Sequence, residues 1–240
     1  MTRHIALNKD SIHCANCMLG RICMPQKMNL TDIEHLTELI KERIRVAKGE
    51  YVFHIGNTSG AIYSIRTGAI KTQVENNCGH TQITGFFLPG EVFGLDSFTA
   101  QQHTSDAIAL EDSEVCVMYT KDLNIVAQQI PSLQAQFRHL LSGEIIRSHQ
   151  LLLSLGSLRS DQRVAWFILD MSARFTQLGY SSNEFILRMS REDIGNYLGL
   201  TLETVSRLFS RFQKEGLIHI QQRAIRILDH EALQSLIKYK

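Results

Sequence analysis

Two groups of side chains in this 240-residue sequence could do chemistry that packing alone does not require. Cys14, Cys17 and Cys23 form a C-x2-C-x5-C pattern within the first 28 residues. Thiolates are soft metal ligands, and four of them hold a cubane iron–sulfur cluster. Three thiolates with a histidine, such as His4 or His13, would instead hold zinc. A second close Cys/His pair is missing, which favours the cluster, but spacing alone leaves both open. The fourth thiol is either Cys78, in the polar turn 76–80, or Cys116, in the apolar run 114–118. The residues by themselves do not choose between them.

The second group is Glu203, Ser206 and Arg207, spaced i, i+3 and i+4 so that a helix would present them together. Arg can grip guanine O6/N7 with two parallel hydrogen bonds, Glu can accept from cytosine N4, and Ser can serve either role. The bland reading is a surface Glu–Arg pair worth a few tenths of a kcal/mol, and the two readings are compatible. Arg211 and Lys214 lie further along and suit phosphate contacts, which add affinity without sequence information. Thr201 precedes the group as an N-cap and counts with it on the DNA-facing side.

The surrounding elements would position these readers. Ser190 with Asp193 resembles a capping box, Gly199 stops the helix it starts, and Thr201 starts the next. Ile194, Leu198, Leu200, Val205 and Leu208 would form the apolar joint of a helix-turn-helix. Residues 217–220 and 224–228 alternate around Gln222-Arg223 as a hairpin, which makes the unit a winged helix.

Upstream, the runs 51–55, 61–65, 82–87 and 115–119 are short, β-branched and aromatic, with glycines at 56, 60, 68, 79, 90 and 94 between them. That cadence predicts a small antiparallel roll. Residues 29–40 read as a short helix preceding it. After Pro131 a long helix continues to about residue 157. Leu141, Ile145, Ser148, Leu152 and Leu155 follow at steps of 4, 3, 4 and 3, the seam of a coiled coil. Ser148 is its one polar position. A helix spanning 162–175 follows a boundary at 154–160, where Gly156 interrupts the pattern.

The expected class is α+β. Residues 1–28 form a cysteine segment, 29–131 a β-roll domain, 132–158 a dimerisation helix and 159–240 the winged helix-turn-helix domain. Apolar residues make up 44% and charged residues 20%, enough for a sizeable core. Net charge is +1, divided as 12 basic and 9 acidic residues over 159–240 against 13 and 15 before them. The basic excess therefore lies with the expected DNA reader. No apolar run approaches a membrane span, and residues 1–12 lack a secretory pattern, so a cytoplasmic protein is expected. Five cysteines in a reducing compartment argue against disulfides. An enzyme is not expected, because no Ser/His/Asp or paired-carboxylate set accompanies the cysteines.

With cysteine triad, roll, long helix and winged helix in this order, nearly the whole chain resembles the fumarate and nitrate reduction regulator (FNR) family. That family is the iron–sulfur branch of the cyclic-AMP receptor protein superfamily. The sharpest matches are Cys14-x2-Cys17-x5-Cys23 and the stretches 82–86, 109–116 and 193–207. The resemblance implies a four-iron four-sulfur cluster on Cys14, Cys17, Cys23 and Cys116, leaving Cys78 as a spare thiol. It also implies destruction of the cluster by oxygen, and binding as a homodimer to double-stranded DNA through a TTGAT-type inverted repeat. RNA polymerase is an implied partner.

Two departures matter. The cyclic-nucleotide branch grips the cyclic phosphate with an Arg-Ser pair, whereas this chain reads Gln101-Gln-His-Thr-Ser-Asp106 with no Arg, so no cyclic nucleotide is expected. Relatives carry an acidic residue where Ser148 stands. Facing carboxylates repel and a serine pair does not, which predicts tighter pairing without the cluster. The alternative function is a winged-helix regulator with a structural zinc site and another small effector.

Overall fold

The structure is a computed structural model that describes residues 3–6, 40–76, 78–129 and 131–238. It divides into two compact units, Met1–Ile145 and Ile146–Lys240.

In the first unit two antiparallel sheets make a roll. One has the order β1 (Arg3–Ala6), β2 (Ile40–Val46), β9 (Ser113–Tyr119), β4 (Ala61–Thr67), β7 (Val92–Phe93). The other has the order β3 (Tyr51–Phe53), β8 (Asp106–Ala109), β5 (Ile70–Glu75), β6 (Thr81–Phe87). Alternation along β9 gives the roll two cores. Val115 and Val117 join Ile44, Ile65, Phe87 and Phe93 in one cluster. Cys116 and Met118 join Ile40, Ile62, Leu123 and Leu133 in the other. Leu123 belongs to α1 (Thr120–Gln129) and Leu133 to α2 (Pro131–Ser157), so these helices cover that face of β9.

Five strands of the roll were not expected, and one of them, Arg3–Ala6, comes from the segment read as cysteine-bearing only. The segment Ile40–Val46 carries Lys41, Glu42, Arg43 and Arg45, and those charges mask its buried Ile44 and Val46. The segments Ile70–Glu75 and Asp106–Ala109 are too polar or too short to announce themselves, and Val92–Phe93 is a two-residue strand. The helix expected over 29–40 lies outside the described residues apart from Ile40. That residue opens β2, so its apolar side chain belongs to a strand rather than to a helical stripe.

α2 runs through the division between the units and continues past Gly156 to Ser157. The expected interruption at Gly156 is absent, and the chain turns instead at Leu158 and Arg159. In the second unit α3 (Ser160–Gln177) buries Val164, Phe167, Ile168 and Met171. Then follow β10 (Glu184–Ile186), α4 (Arg191–Leu198), α5 (Leu202–Lys214), β11 (Ile218–Gln221), β12 (Ala224–Ile227) and α6 (His230–Ile237). The hairpin β11–β12 gains β10 as a third strand, paired with β12. Its two-residue turn holds Gln222 at φ 55°, the left-handed region a tight hairpin turn requires.

Candidate nucleic-acid interface and thiol site

Local chemistry builds the helix-turn-helix. The Asp193 backbone N–H donates to Ser190 Oγ at 3.0 Å, and the Ser190 N–H donates to Asp193 Oδ2 at 2.9 Å, closing the capping box of α4. Gly199 ends the helix in the left-handed region, at φ 62°. The Thr204 N–H donates to Thr201 Oγ1 at 3.2 Å, which caps α5. Ile194, Leu198, Val205 and Leu208 are buried in the joint, and Leu200 is half-buried. The turn is tight: a Cβ on Gly195 would stand 2.7 Å from the Leu200 carbonyl oxygen. The Arg191 guanidinium lies 5.2 Å from the centre of the Phe209 ring, bracing α4 on α5.

On α5, Thr201, Glu203 and Arg207 are exposed and Ser206 is half-buried. Hydrogen bonds from its own backbone N–H, then from the Thr201 side chain, hold the Glu203 carboxyl below its usual range. It is therefore a carboxylate acceptor at neutral pH, as contact with cytosine N4 requires. Arg211 Nε lies 2.8 Å from Glu215 Oε1, and its Nη1 lies 3.6 Å from Asp161 Oδ2. These two carboxylates would compete with a phosphate for it, while Lys214 is exposed in the last turn. Leu202 was not singled out from the sequence. It is 44% exposed at the first helical position, beside Glu203, where an apolar side chain can meet a thymine methyl. Its place directly after the Thr201 cap was the available signal.

α2 leaves Leu141, Ile145, Ser148 and Leu152 of the heptad series exposed on a single chain. Ile146 and Leu153 are exposed as well and widen the apolar band. Leu155 differs. It is half-buried, and its Cδ2 would stand 3.4 Å from a Cβ on Gly199. Beside it, the Arg163 guanidinium donates to three carbonyls, Leu155 O at 2.6 Å, Leu158 O at 2.9 Å and Leu198 O at 3.0 Å.

Of the expected metal ligands, Cys14, Cys17 and Cys23 lie outside the described residues. Cys116 is described, and its residue is 8% exposed in β9. Cys78 is exposed in the β5–β6 turn, on the other sheet. In register, Cys116 stands opposite Arg43 of β2 and Ser64 of β4. Ile40 pairs with Met118, and Ala6 pairs with Glu42, itself opposite Val117. The segment 7–39, which carries the triad, therefore leaves and rejoins the sheet within two rungs of Cys116. From Ala6 to Cys14 is eight residues, a reach of up to about 26 Å. A buried soft thiol beside a buried guanidinium is a donor environment that fits an anionic thiolate cluster. Among the described residues no three His, Cys, Asp or Glu side chains converge as a metal site.

An aromatic stack packs inside the roll beside the segment 101–106. His103 is 3% exposed and stacks on Phe53 with ring centres 3.6 Å apart and planes 9° apart. Tyr63 and Phe93 continue the stack at 5.3 Å. His103 Nδ1 lies 3.2 Å from Asp96 Oδ1, and the Thr104 N–H donates to Asp96 Oδ2 at 2.8 Å.

Comparison with known proteins agrees with this architecture. The cyclic nucleotide-binding domain family matches residues 43–129, and the Crp-like helix-turn-helix domain family matches residues 162–236. The transcriptional regulatory protein btr of Bordetella pertussis is 54% identical over 99% of this chain and 98% of its own length. The fumarate and nitrate reduction regulatory protein of Vibrio cholerae is 38% identical over 94% of this chain and 90% of its own. Among solved structures, FixK2 from Bradyrhizobium japonicum superposes with a TM-score of 0.76 at 30% identity, covering 82% of this chain and 98% of its own. No helix among the described residues is long and apolar enough to cross a membrane.

Proposed function

Because the chain belongs to the FNR-type transcription regulators of the CRP/FNR superfamily, we propose that it is an oxygen-responsive member whose Cys14, Cys17, Cys23 and Cys116 hold a four-iron four-sulfur cluster. Membership makes it a DNA-binding regulator rather than an enzyme. The oxygen mechanism is the further step. The observation that carries it is the register of Cys116: it is buried, and Ala6 and Ile40, which flank the triad's segment, lie in the same sheet within two rungs of it. Cys78, exposed on the other sheet, has no such neighbourhood.

When bound, such a cluster supplies a four-thiolate crosslink between the N-terminal segment and β9, and oxygen dismantles it. The chain does the rest. Leu141, Ile145 and Leu152 offer an apolar band that a second copy covers, so any state favouring pairing draws the population toward the dimer. Pairing sets two α5 helices to successive major grooves about 34 Å apart, and the two half-sites of a TTGAT-type inverted repeat are then read together. Glu203, Ser206 and Arg207 read base edges, while Thr201, Arg211 and Lys214 hold the backbone. Leu155 and Arg163 link the end of α2 to the reading unit. No cyclic nucleotide is part of this reading, because the segment 101–106 offers no Arg to pair with a cyclic phosphate. RNA polymerase is the further partner this reading requires.

Iron, acid-labile sulfide and zinc measured on anaerobically purified protein test the proposal, with the optical spectrum and DNA affinity followed after air is admitted. The expected result is about four iron and four sulfide per chain, bleaching in air as DNA affinity falls. One tightly held zinc and no response to air would overturn the oxygen mechanism and leave a zinc-containing regulator answering another signal.

A further inference from the structure

We propose that Arg43 is a positioning residue for the thiol site: its buried Nε–H is the donor that a sulfur of the cluster takes up once the cluster is held at Cys116, and its charge offsets that of the anionic cluster. This rests on the cluster reading above.

Arg43 is the register partner of Cys116 across β2 and β9. Directly opposed residues of an antiparallel pair share a face, with Cβ atoms about 4.5–5.5 Å apart. The Arg43 stem therefore lies against Cys116 whatever its outer atoms do. Those outer atoms are unusual. The residue is 8% exposed, and among the described residues its buried Nε finds no hydrogen-bond partner. A buried polar group is normally paired, and a buried charge more so.

The obvious partner is already committed. Glu114 Oε1 accepts from Arg66 Nη1 at 2.8 Å but stands 3.7 Å from Arg43 Nη1. That carboxylate neutralises one guanidinium closely and the other loosely. Among the described residues, the Arg43 and Arg66 guanidiniums share this one carboxylate beside Cys116. Four thiolates on an iron–sulfur core make a net anion, and hydrogen bonds to its sulfurs together with nearby charge set its potential. Arg43 supplies both from one side chain, and Nε is the atom left over to do it. Partners of this kind hold the ligand's orientation and typically change metal retention or reactivity about tenfold or more when removed.

The test compares wild-type full-length chain with Arg43→Met, Arg43→Lys and Glu114→Gln after anaerobic reconstitution. Three readouts are used: iron per chain, the cluster's reduction potential in a dye-mediated titration, and the rate of cluster bleaching at a fixed oxygen concentration. Arg43→Met should take up iron, shift to a lower potential and bleach about tenfold faster. Arg43→Lys keeps the charge without the Nε–H and should recover part of the shift. Glu114→Gln leaves Arg43 in place, removes its counter-charge and should move the potential upward. That opposite sign reads the charge even where Arg43→Met fails to fold, and a merely structural role would not produce it. A wild-type cluster with the same potential and bleaching rate in Arg43→Met and Glu114→Gln overturns this inference alone. A wild-type chain that takes up no iron overturns the cluster reading, and this inference with it.

Discussion

Replacing Gly195 by alanine tests how the turn between α4 and α5 sets the reader. The added Cβ would stand 2.7 Å from Leu200 O and 3.3 Å from the carbonyl carbon of Thr201. Both are backbone atoms, so no rotamer change relieves the contact. Ordinary contact needs about 3.5 Å, so the turn must open by about 0.8 Å. The Leu200 N–H to Gly195 O bond, 2.8 Å long, is the link that gives way. Alanine gains about 0.8–1 kcal/mol in helix propensity, while forcing an extra carbon into a packed joint costs about 1–3 kcal/mol. The net loss is about 0–2 kcal/mol, a fall in melting temperature of roughly 0–16 °C for a unit of this size.

DNA binding should suffer more than stability. The proposed base readers Glu203, Ser206 and Arg207 all follow the turn, so opening it should displace all three in both half-sites. A loss of only about 1 kcal/mol per half-site doubles in a dimer to about 2 kcal/mol, or roughly 30-fold in affinity. Fluorescence anisotropy on an inverted-repeat duplex at fixed salt measures this, with calorimetry beside it. Gly156→Ala is the control. It lies in α2 with nothing within 4 Å of the new carbon, and should gain up to about 1 kcal/mol without changing affinity. Wild-type affinity for Gly195→Ala would refute the close-turn argument.

Four other outcomes follow from the same geometry. Burial, then the charges of Tyr119, Glu42 and Asp96, push the Tyr63 hydroxyl up to about 12, against about 10 unfolded. Its stabilisation is whole below about pH 10 and is lost as pH rises to about 12, so Tyr63→Phe should flatten alkaline denaturation. Burial would raise Asp96, but hydrogen bonds from His103 and Thr104 outweigh it and hold the carboxyl below its usual range. Its contribution is present above about pH 4 and is lost as pH falls through the lower folded value, so Asp96→Asn should flatten the acid limb of a urea-unfolding series. In DNA titrations Arg207→Lys should lose about 1–3 kcal/mol per half-site and relax specificity, whereas Lys214→Ala should weaken all sequences alike and reduce the salt slope by about 1 per protomer. Sedimentation of the apo protein should show a weaker dimer for Ser148→Asp than for the wild type, and equal constants refute the seam argument.

The reader was legible because its signals are local. Ser190 with Asp193, Gly199 and Thr201 each act within one turn, and each does in the structure what its type suggests. The roll was legible as a class but not strand by strand. β2 hides its buried Ile44 and Val46 among four charged residues, and β7 is two residues long and has meaning only through its pairing with β4. The same limit applies to the thiols. Cys78 and Cys116 differ in burial and sheet, which depend on contacts distant in sequence. Arg43 looks like one charge among several until register sets it opposite Cys116.

A heptad series and a DNA reader must meet somewhere, and here the junction is a handful of atoms. Leu141, Ile145 and Leu152 are exposed on the single chain, but Leu155, the last of the series, is half-buried within the second unit near Gly199, the cap that ends α4. One guanidinium, that of Arg163, donates to both helix ends: to the carbonyls of Leu155 and Leu158 below α2 and to that of Leu198 at the end of α4. A cation is favoured at a helix C-terminus, and the rigid planar fork of Arg cannot follow one end while releasing the other without breaking a bond. A rotation of the last turn of α2 therefore reaches α4 through three charge-assisted hydrogen bonds. α5 begins four residues after Leu198, so its first reader, Glu203, moves with them. The pairing helix and the reading helix need no direct contact for one to set the angle of the other.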